Sequence, residues 1–308
     1  MEPDDNAEQA VTAITLAHLS DLHLAHDGLR FPAWGLLNKR MTSQFSWRHR
    51  RRFLHVDTVL EALVADLRAM TPDAVALTGD LTNLGLPVEY RRAAAWVATR
   101  LPEQTAIVPG NHDMLVSEPW DATLGLWKPW MAARPQDFPF VRRVGMVALI
   151  GVNSACPTPW FSAAGRIGPA QAAHLADLLH ETGREGAFRV VMIHHPPVPG
   201  IVSRRKALRD AGLFAAAIAR SGAELVLHGH SHRSGLSSLP GPTATVPVLG
   251  IASASMLAPE QQRTAAWHHI RITCTKRGYA AEFHRRLVAP GRPVRQLPPW
   301  RFDVYRLP

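Results

Sequence analysis

Apolar residues recur along this chain in two alternating periods. Residues 11–19 form an unbroken β-rich run that predicts a buried strand. Over residues 54–70, Val56, Val59, Leu60, Leu63, Val64 and Leu67 fall three and four apart, which predicts a helix ended by Thr71-Pro72. Residues 74–77 predict the next strand, 89–100 a helix and 106–108 a short strand. Two strands are expected within 140–152, on either side of Gly145, and Pro169 suits the first position of a helix reaching about residue 180. Further strands are expected at 188–193, 225–227 and 246–252, with a helix over 206–220 between the first two. Residues 267–273 and 279–284 are the last strand candidates, and the Pro/Arg-rich stretch 291–308 reads as irregular. Residues 1–10 are polar and aperiodic, which predicts disorder. No linker divides the chain, so residues 11–290 read as one domain. Strand-helix alternation gives an α/β class, with later strands set for a more antiparallel sheet. Two packed sheets with helices outside fit this pattern.

Five of the predicted strands run directly into polar segments: Asp21-Leu22-His23, Gly79-Asp80, Gly110-Asn111-His112-Asp113, His194-His195 and Gly229-His230-Ser231-His232. Any one such histidine is more often a core or surface residue. Five segments at strand exits place distant side chains on one sheet edge, where ligands of open α/β sheets gather. Carboxylate, imidazole and amide oxygen suit hard or borderline divalent metals rather than a thiolate site. Asp21 and His23, like His230 and His232, are one residue apart, so an extended exit would point both to the same side. Asp80 follows a glycine that permits close approach, and a carboxylate there can bridge two cations about 3.5–4 Å apart. Asn111 offers a neutral ligand that does not repel phosphate.

Composition narrows the context. At 308 residues and 46% hydrophobic, the chain supports a substantial core. No apolar run reaches membrane-spanning length, and the acidic start MEPDDNAEQA lacks signal-peptide character, so a cytoplasmic location is the expectation. Cys156 and Cys274 form no CxxC pair and read as small buried thiols. The net charge of +9 favours anionic partners without choosing among them.

Taken together, D-x-H, G-D, G-N-H-D, the strand-end His194 and G-H-x-H, spread over residues 21–232, resemble the calcineurin-like metallophosphoesterase superfamily. The match looks most like its bacterial cyclic-nucleotide and glycerophospho-type phosphodiesterases. That resemblance implies a four-layer αββα sandwich of two mixed β-sheets flanked by helices, holding two divalent metal ions, Mn, Fe or Zn. It implies Asp21, His23 and His232 on one metal, Asn111, His194 and His230 on the other, and Asp80 between them. It makes His112 the group that protonates the leaving oxygen or stabilises the transferring phosphoryl group, and Asp113 the residue that orients it. His195 and Asn83 are candidate substrate contacts. The implied reaction is hydrolysis of a phosphodiester by a metal-bound hydroxide. The alternative is a pyrophosphohydrolase acting on a lipid-linked nucleotide such as UDP-2,3-diacylglucosamine, followed by a nuclease or a non-catalytic scaffold.

Two segments bear on the substrate. Residues 30–55 are basic and aromatic, an insert expected either to grip an anionic phosphoester or lean on a membrane surface, or else to pack on the body. Residues 114–140 carry Trp120, Trp127, Trp130, Phe138 and Phe140, which suit a base- or acyl-binding wall, a homodimer surface or core packing under a long loop. Nucleic acid is not expected as an obligate partner.

Overall fold

The computed structural model describes residues 13–25 and 38–305. The expected disorder of residues 1–10 and part of the 30–55 insert lie outside them. The first sheet has the order β12-β11-β10-β1-β2-β3. It comprises β1 (Ala13–Leu19), β2 (Ala74–Leu77), β3 (Thr105–Ile107), β10 (Ala266–Thr275), β11 (Gly278–Leu287) and β12 (Arg295–Gln296), while β13 (Trp300–Tyr305) also pairs with β11. The second runs β4-β5-β6-β7-β9-β8. Its strands are β4 (Phe140–Val144), β5 (Val147–Val152), β6 (Phe188–Ile193), β7 (Leu225–His228), β8 (Gly235–Pro240) and β9 (Thr245–Gly250). β1, β2 and β3 are parallel, as are β5, β6, β7 and β9, so their carboxyl ends share one edge of each sheet.

Period-two alternation sorts each strand's side chains between layers. Leu16, Ala74, Ala76, Val190 and Met192 fill the space between the sheets. Their neighbours Ala17, Val75 and Leu77 face α2 (Asp57–Ala69) and α3 (Pro87–Arg100), whose Leu60, Leu63, Leu67, Ala93 and Val97 cover the first sheet. Val191 and Ile193 face α4 (Pro169–Arg184) and α5 (Ala211–Ser221) through Leu175, Leu179, Phe214 and Ile218. The result is the expected four-layer αββα sandwich with two mixed sheets. Among the described residues no helix is long and apolar enough to cross a membrane.

Several expectations need correction. The C-terminal stretch is not irregular: β12 and β13 extend the first sheet, and Trp300, Ala281, Phe302, Tyr279 and Val304 lie in one antiparallel register. Its prolines masked the alternation of Trp300, Phe302 and Val304. β8 escaped notice because only Leu239 of its residues is buried. The helix expected over 206–220 begins at Ala211, since Asp210 turns its carboxylate to the backbone N–H groups of Ile167 and Gly168. Cys274 is exposed and Cys156 half-buried, not the buried thiols expected. The Trp-rich segment packs into the core. Trp127 is fully buried and donates to the Tyr90 carbonyl at 3.1 Å, and Phe138 is buried in the same apolar cluster, edge-on to Trp120.

Between the sheets, His18 Nδ1 meets His268 Nδ1 at 3.2 Å, and His18 Nε2 meets Thr78 Oγ1 at 3.0 Å. Burial depresses both imidazoles, His268 to about 3, and Arg285 and His228 push the latter the same way. A folded pKa below the unfolded value of about 6.5 means stability present above pH 6.5 and lost as pH falls towards 3. Thermal unfolding is therefore expected to fall steeply between pH 6.5 and 4. The slope should flatten in His268→Gln, which keeps a hydrogen-bonding partner for His18 but does not titrate. Equal slopes in the two proteins would remove His268 as a cause.

Candidate metal centre

Five loops meet beyond the carboxyl ends of β1, β2, β3, β6 and β7. Their side chains do not converge through extended exits, as the spacing had suggested. Asp21, His23, Asp80, His230 and His232 all have positive φ, between 45° and 62°. That left-handed conformation costs an L-residue about 1–2 kcal/mol and persists only where the surroundings hold it. Here backbone bonds between the loops hold it. Asp21 N–H donates to Gly79 O at 2.8 Å, His23 N–H to Asp80 O at 2.9 Å and Gly229 N–H to His194 O at 3.1 Å. Two glycines allow the loops to close. A Cβ on Gly229 would stand 1.8 Å from Ser20 Oγ, and one on Gly110 2.2 Å from Asp80 Oδ1.

The donor atoms fall into two groups, each spanning no more than 4.8 Å: Asp21, His23, Asp80 and His232, and Asp80, His194 and His230. Asp80 belongs to both. Its Oδ2 is 3.8 Å from His23 Nε2 and 3.5 Å from His194 Nε2. Asn111 Oδ1 joins the second group, 3.3 Å from His194 Nε2. All seven residues expected as metal ligands are thus brought together.

Carbonyl oxygens fix which imidazole nitrogen faces inward, because a carbonyl can only accept. His194 Nδ1 donates to Thr78 O at 2.6 Å and His230 Nε2 to Lys206 O at 3.0 Å. When neutral, these rings direct the lone pair of the other nitrogen at the centre, the arrangement that orients metal-bound histidines. Asp21 Oδ1 tests the fit. It is buried and accepts no hydrogen bond, although His232 Nε2 lies 3.0 Å away. An orphaned carboxylate oxygen among inward imidazole lone pairs is a cation's donor set.

Burial acts to raise the Asp80 carboxyl, yet His194 and His112 outweigh it and hold Asp80 well below the usual carboxylate range. Asp21 is likewise lowered, with burial opposed by His232. Burial, the largest single influence, would lower His194, but the charge and hydrogen bond of Asp80, with Asp21 and the Thr78 carbonyl, together lift it to about 9. Protonation of His194 therefore competes with cation binding in the metal-free chain.

The other expected site residues take more varied positions. His112 N–H donates to Asp80 Oδ1 at 2.7 Å, and its ring Nδ1 donates to Asn83 O at 2.8 Å. Asn83, not Asp113, therefore orients the imidazole. The Asn83 side chain is buried and donates to Leu24 O at 2.8 Å. Asp113 instead ties two loops, with Oδ2 accepting from Asp80 N–H at 2.8 Å and Gly110 N–H at 2.9 Å, and Oδ1 accepting from Thr82. Burial, together with Asp80, pushes its pKa up to about 7. His195 is fully buried, with Nε2 donating to Ala163 O and Nδ1 accepting from Ser154 Oγ, so both nitrogens are already engaged.

Two residues of the insert reach the centre unforeseen. Arg51, in a short 3₁₀ turn (Arg51–Phe53), places NH1 3.1 Å from His112 Nε2 and NH2 2.7 Å from His23 Nδ1. Among the described residues no carboxylate forms an ion pair with it. His55 stacks edge-on against His23 at 4.4 Å and forms a third close imidazole group with His23 and His232. Its Nδ1 bonds Ser255 Oγ at 2.8 Å. The i, i+4 spacing of Arg51 and His55 was a signal, but nothing in the sequence said which face of the turn looks inward.

Fold and centre together define a metal-dependent phosphoester hydrolase. Residues 14–234 match the model of the calcineurin-like phosphoesterase family, and the chain belongs to that family. It is 25% identical over 273 residues to a probable cyclic nucleotide phosphodiesterase of Synechococcus, covering 87% of this chain and 91% of that protein. A cAMP/cGMP dual specificity phosphodiesterase of Mycobacterium tuberculosis is 27% identical over 172 residues, 54% of this chain, and the match spans half of that protein's length. In fold, the chain is similar to a dimetal phosphatase from Danio rerio, with TM-score 0.53, 11% identity and coverage of 89% of this chain and 96% of that one. It is also similar to a purple acid phosphatase from yellow lupin seeds, with TM-score 0.58, 11% identity and coverage of 94% and 53%.

Proposed function

We propose that this protein hydrolyses a phosphodiester, of the cyclic-nucleotide or glycerophospho type, using two divalent cations. The observation that carries the reading is Asp80, one carboxylate shared by two complete donor groups. Asp21, His23 and His232 would hold one cation, Asn111, His194 and His230 the other, and Asp80 both. Cations bound there would supply Lewis acidity and charge neutralisation for an attacking water and the phosphoryl oxygens. The names of the sequence relatives favour a cyclic diester.

His112 is placed to manage the leaving oxygen. Its Nδ1 proton is fixed on Asn83 O, so a second proton on Nε2 makes it the donor. In the free chain burial, and next Arg51, hold His112 to about 3. A phosphodiester anion between the two offsets both effects and favours imidazolium. The P–O bond to the leaving group breaks, the water oxygen joins phosphorus and gives up a proton to solvent, and the Nε2 proton passes to the departing oxygen.

The first helix of the insert, α1 (Arg40–His49), turns apolar side chains outward, which favours a lipid-linked pyrophosphate as the second reading. Manganese-loaded protein is expected to cleave bis(p-nitrophenyl) phosphate and 3′,5′-cyclic nucleotides. Cleavage of a lipid pyrophosphate only in detergent, with none of cyclic nucleotides, would reverse the order. Inactivity towards every diester with every divalent metal would overturn the enzymatic reading.

A further inference from the structure

Helix α1 is inside out. It buries Arg40, Ser43, Gln44 and Trp47 against the body, and presents Met41 (51% exposed) and Phe45 (66%) to solvent beside Arg48 and His49. The polar face is bolted down. Arg40 Nε and NH2 donate to the carbonyls of Leu84 and Gly85, its NH1 pairs with Glu118 at 2.8 Å, and Ser43 Oγ donates to Asn83 O. The helix therefore cannot roll to hide its aromatic side. Past its end, Phe53 is 60% exposed, with the Arg52 guanidinium over its ring.

A second apolar element stands beside it. Trp160 (46%) and Phe161 (74%) form an exposed loop tip, and Phe161 has φ 63°, a strained conformation that no packing repays. Lys39, next to the start of α1, donates to Thr158 Oγ1 and Ser162 O and fastens this loop to the helix. Two residues beyond the tip, Ala163 O accepts from His195, while α1 leads directly to Arg51. Both elements thus connect within a few residues to side chains at the metal centre.

Charge selects the occupant. Residues 38–53 contain Lys39, Arg40, Arg48, Arg50, Arg51 and Arg52 and no acid, and Arg48, Arg50 and Arg52 are exposed. An apolar ridge at Met41, Phe45 and Phe53 flanked by arginines is the cross-section of a helix lying in a bilayer interface. We propose that the outer face of α1 and the Trp160–Phe161 tip dock the protein on an anionic phospholipid bilayer, with the metal centre opening towards the headgroups. The proposal concerns binding alone and stands or falls independently of the catalysed reaction.

Sedimentation of the full-length protein with vesicles tests it. Vesicles of phosphatidylglycerol and phosphatidylcholine should retain the protein at least about tenfold better than phosphatidylcholine alone, each surface arginine contributing about fivefold. Phe45→Ser/Phe53→Ser/Phe161→Ser should lose that binding while hydrolysing a soluble diester as the parent does. Arg48→Glu/Arg52→Glu should lose the preference for anionic lipid and supplies the test if the triple variant fails to fold. Retention by neither vesicle would overturn the proposal. So would tighter binding of single-stranded RNA that survives the three Phe→Ser changes, which would mark a nucleic-acid surface.

Discussion

Asp80→Ala is expected to abolish phosphodiester hydrolysis, by at least about 10³-fold, and to lower the bound metal content of the purified protein. The expectation follows from position. Asp80 Oδ2 is within 4 Å of imidazole nitrogens from both donor groups, and its Oδ1 accepts from His112 N–H. Removing it takes one ligand from each group and loosens the residue assigned to the leaving oxygen. Folding should survive. Asp80 is buried, and removing its charge relieves Asp113, which Asp80 helps to push up to about 7. Metal analysis, kinetics and thermal unfolding together check the result. A variant with parental metal content and turnover would dismiss Asp80 as the shared ligand.

Arg51→Gln should lower kcat/KM about 10²–10³-fold while leaving the metal content unchanged and the melting temperature equal or higher. The guanidinium is half-buried and forms no ion pair with a carboxylate among the described residues, and burial lowers its pKa to about 10 against the opposing charges of Asp80, Asp21 and Glu89. Such a group carries a desolvation cost that the folded chain alone does not offset. Its neighbours are His112 and His23, so a phosphoryl oxygen entering between them gives Arg51 the anion it lacks. Arg51→Lys, a point charge without the planar fork, should recover only part of the loss. Parental kinetics in Arg51→Gln would make the residue a bystander, and a lower melting temperature would make it structural.

The legible part of this chain was the part encoded locally. An apolar run stopping at Asp21, Asp80, Asn111, His194 or His230 announces a strand exit and a ligand within a few residues. What stayed hidden depends on long-range register. Asn83 takes the ring of His112 and Asp113 does not, because three loops pack in an order that no short motif specifies. The left-handed turns at Asp21, His23, Asp80, His230 and His232 are equally silent, since these are not the glycines that normally mark such positions. The amphipathic character of α1 was visible, but its inversion depended on carbonyls 44 and 45 residues downstream waiting for Arg40.

Each donor group draws on both sheets. Asp21, His23 and Asp80 descend from β1 and β2 of the first, while His232 crosses from β7 of the second; Asn111 comes from β3, facing His194 and His230 from β6 and β7. The centre is therefore a seam sewn across the open edge of the sandwich. Anything that lets one sheet slide on the other pulls both stitches at once. The inter-sheet packing of Leu16, Met192 and Leu227 thereby sets the gauge of the chemistry as firmly as the ligands do.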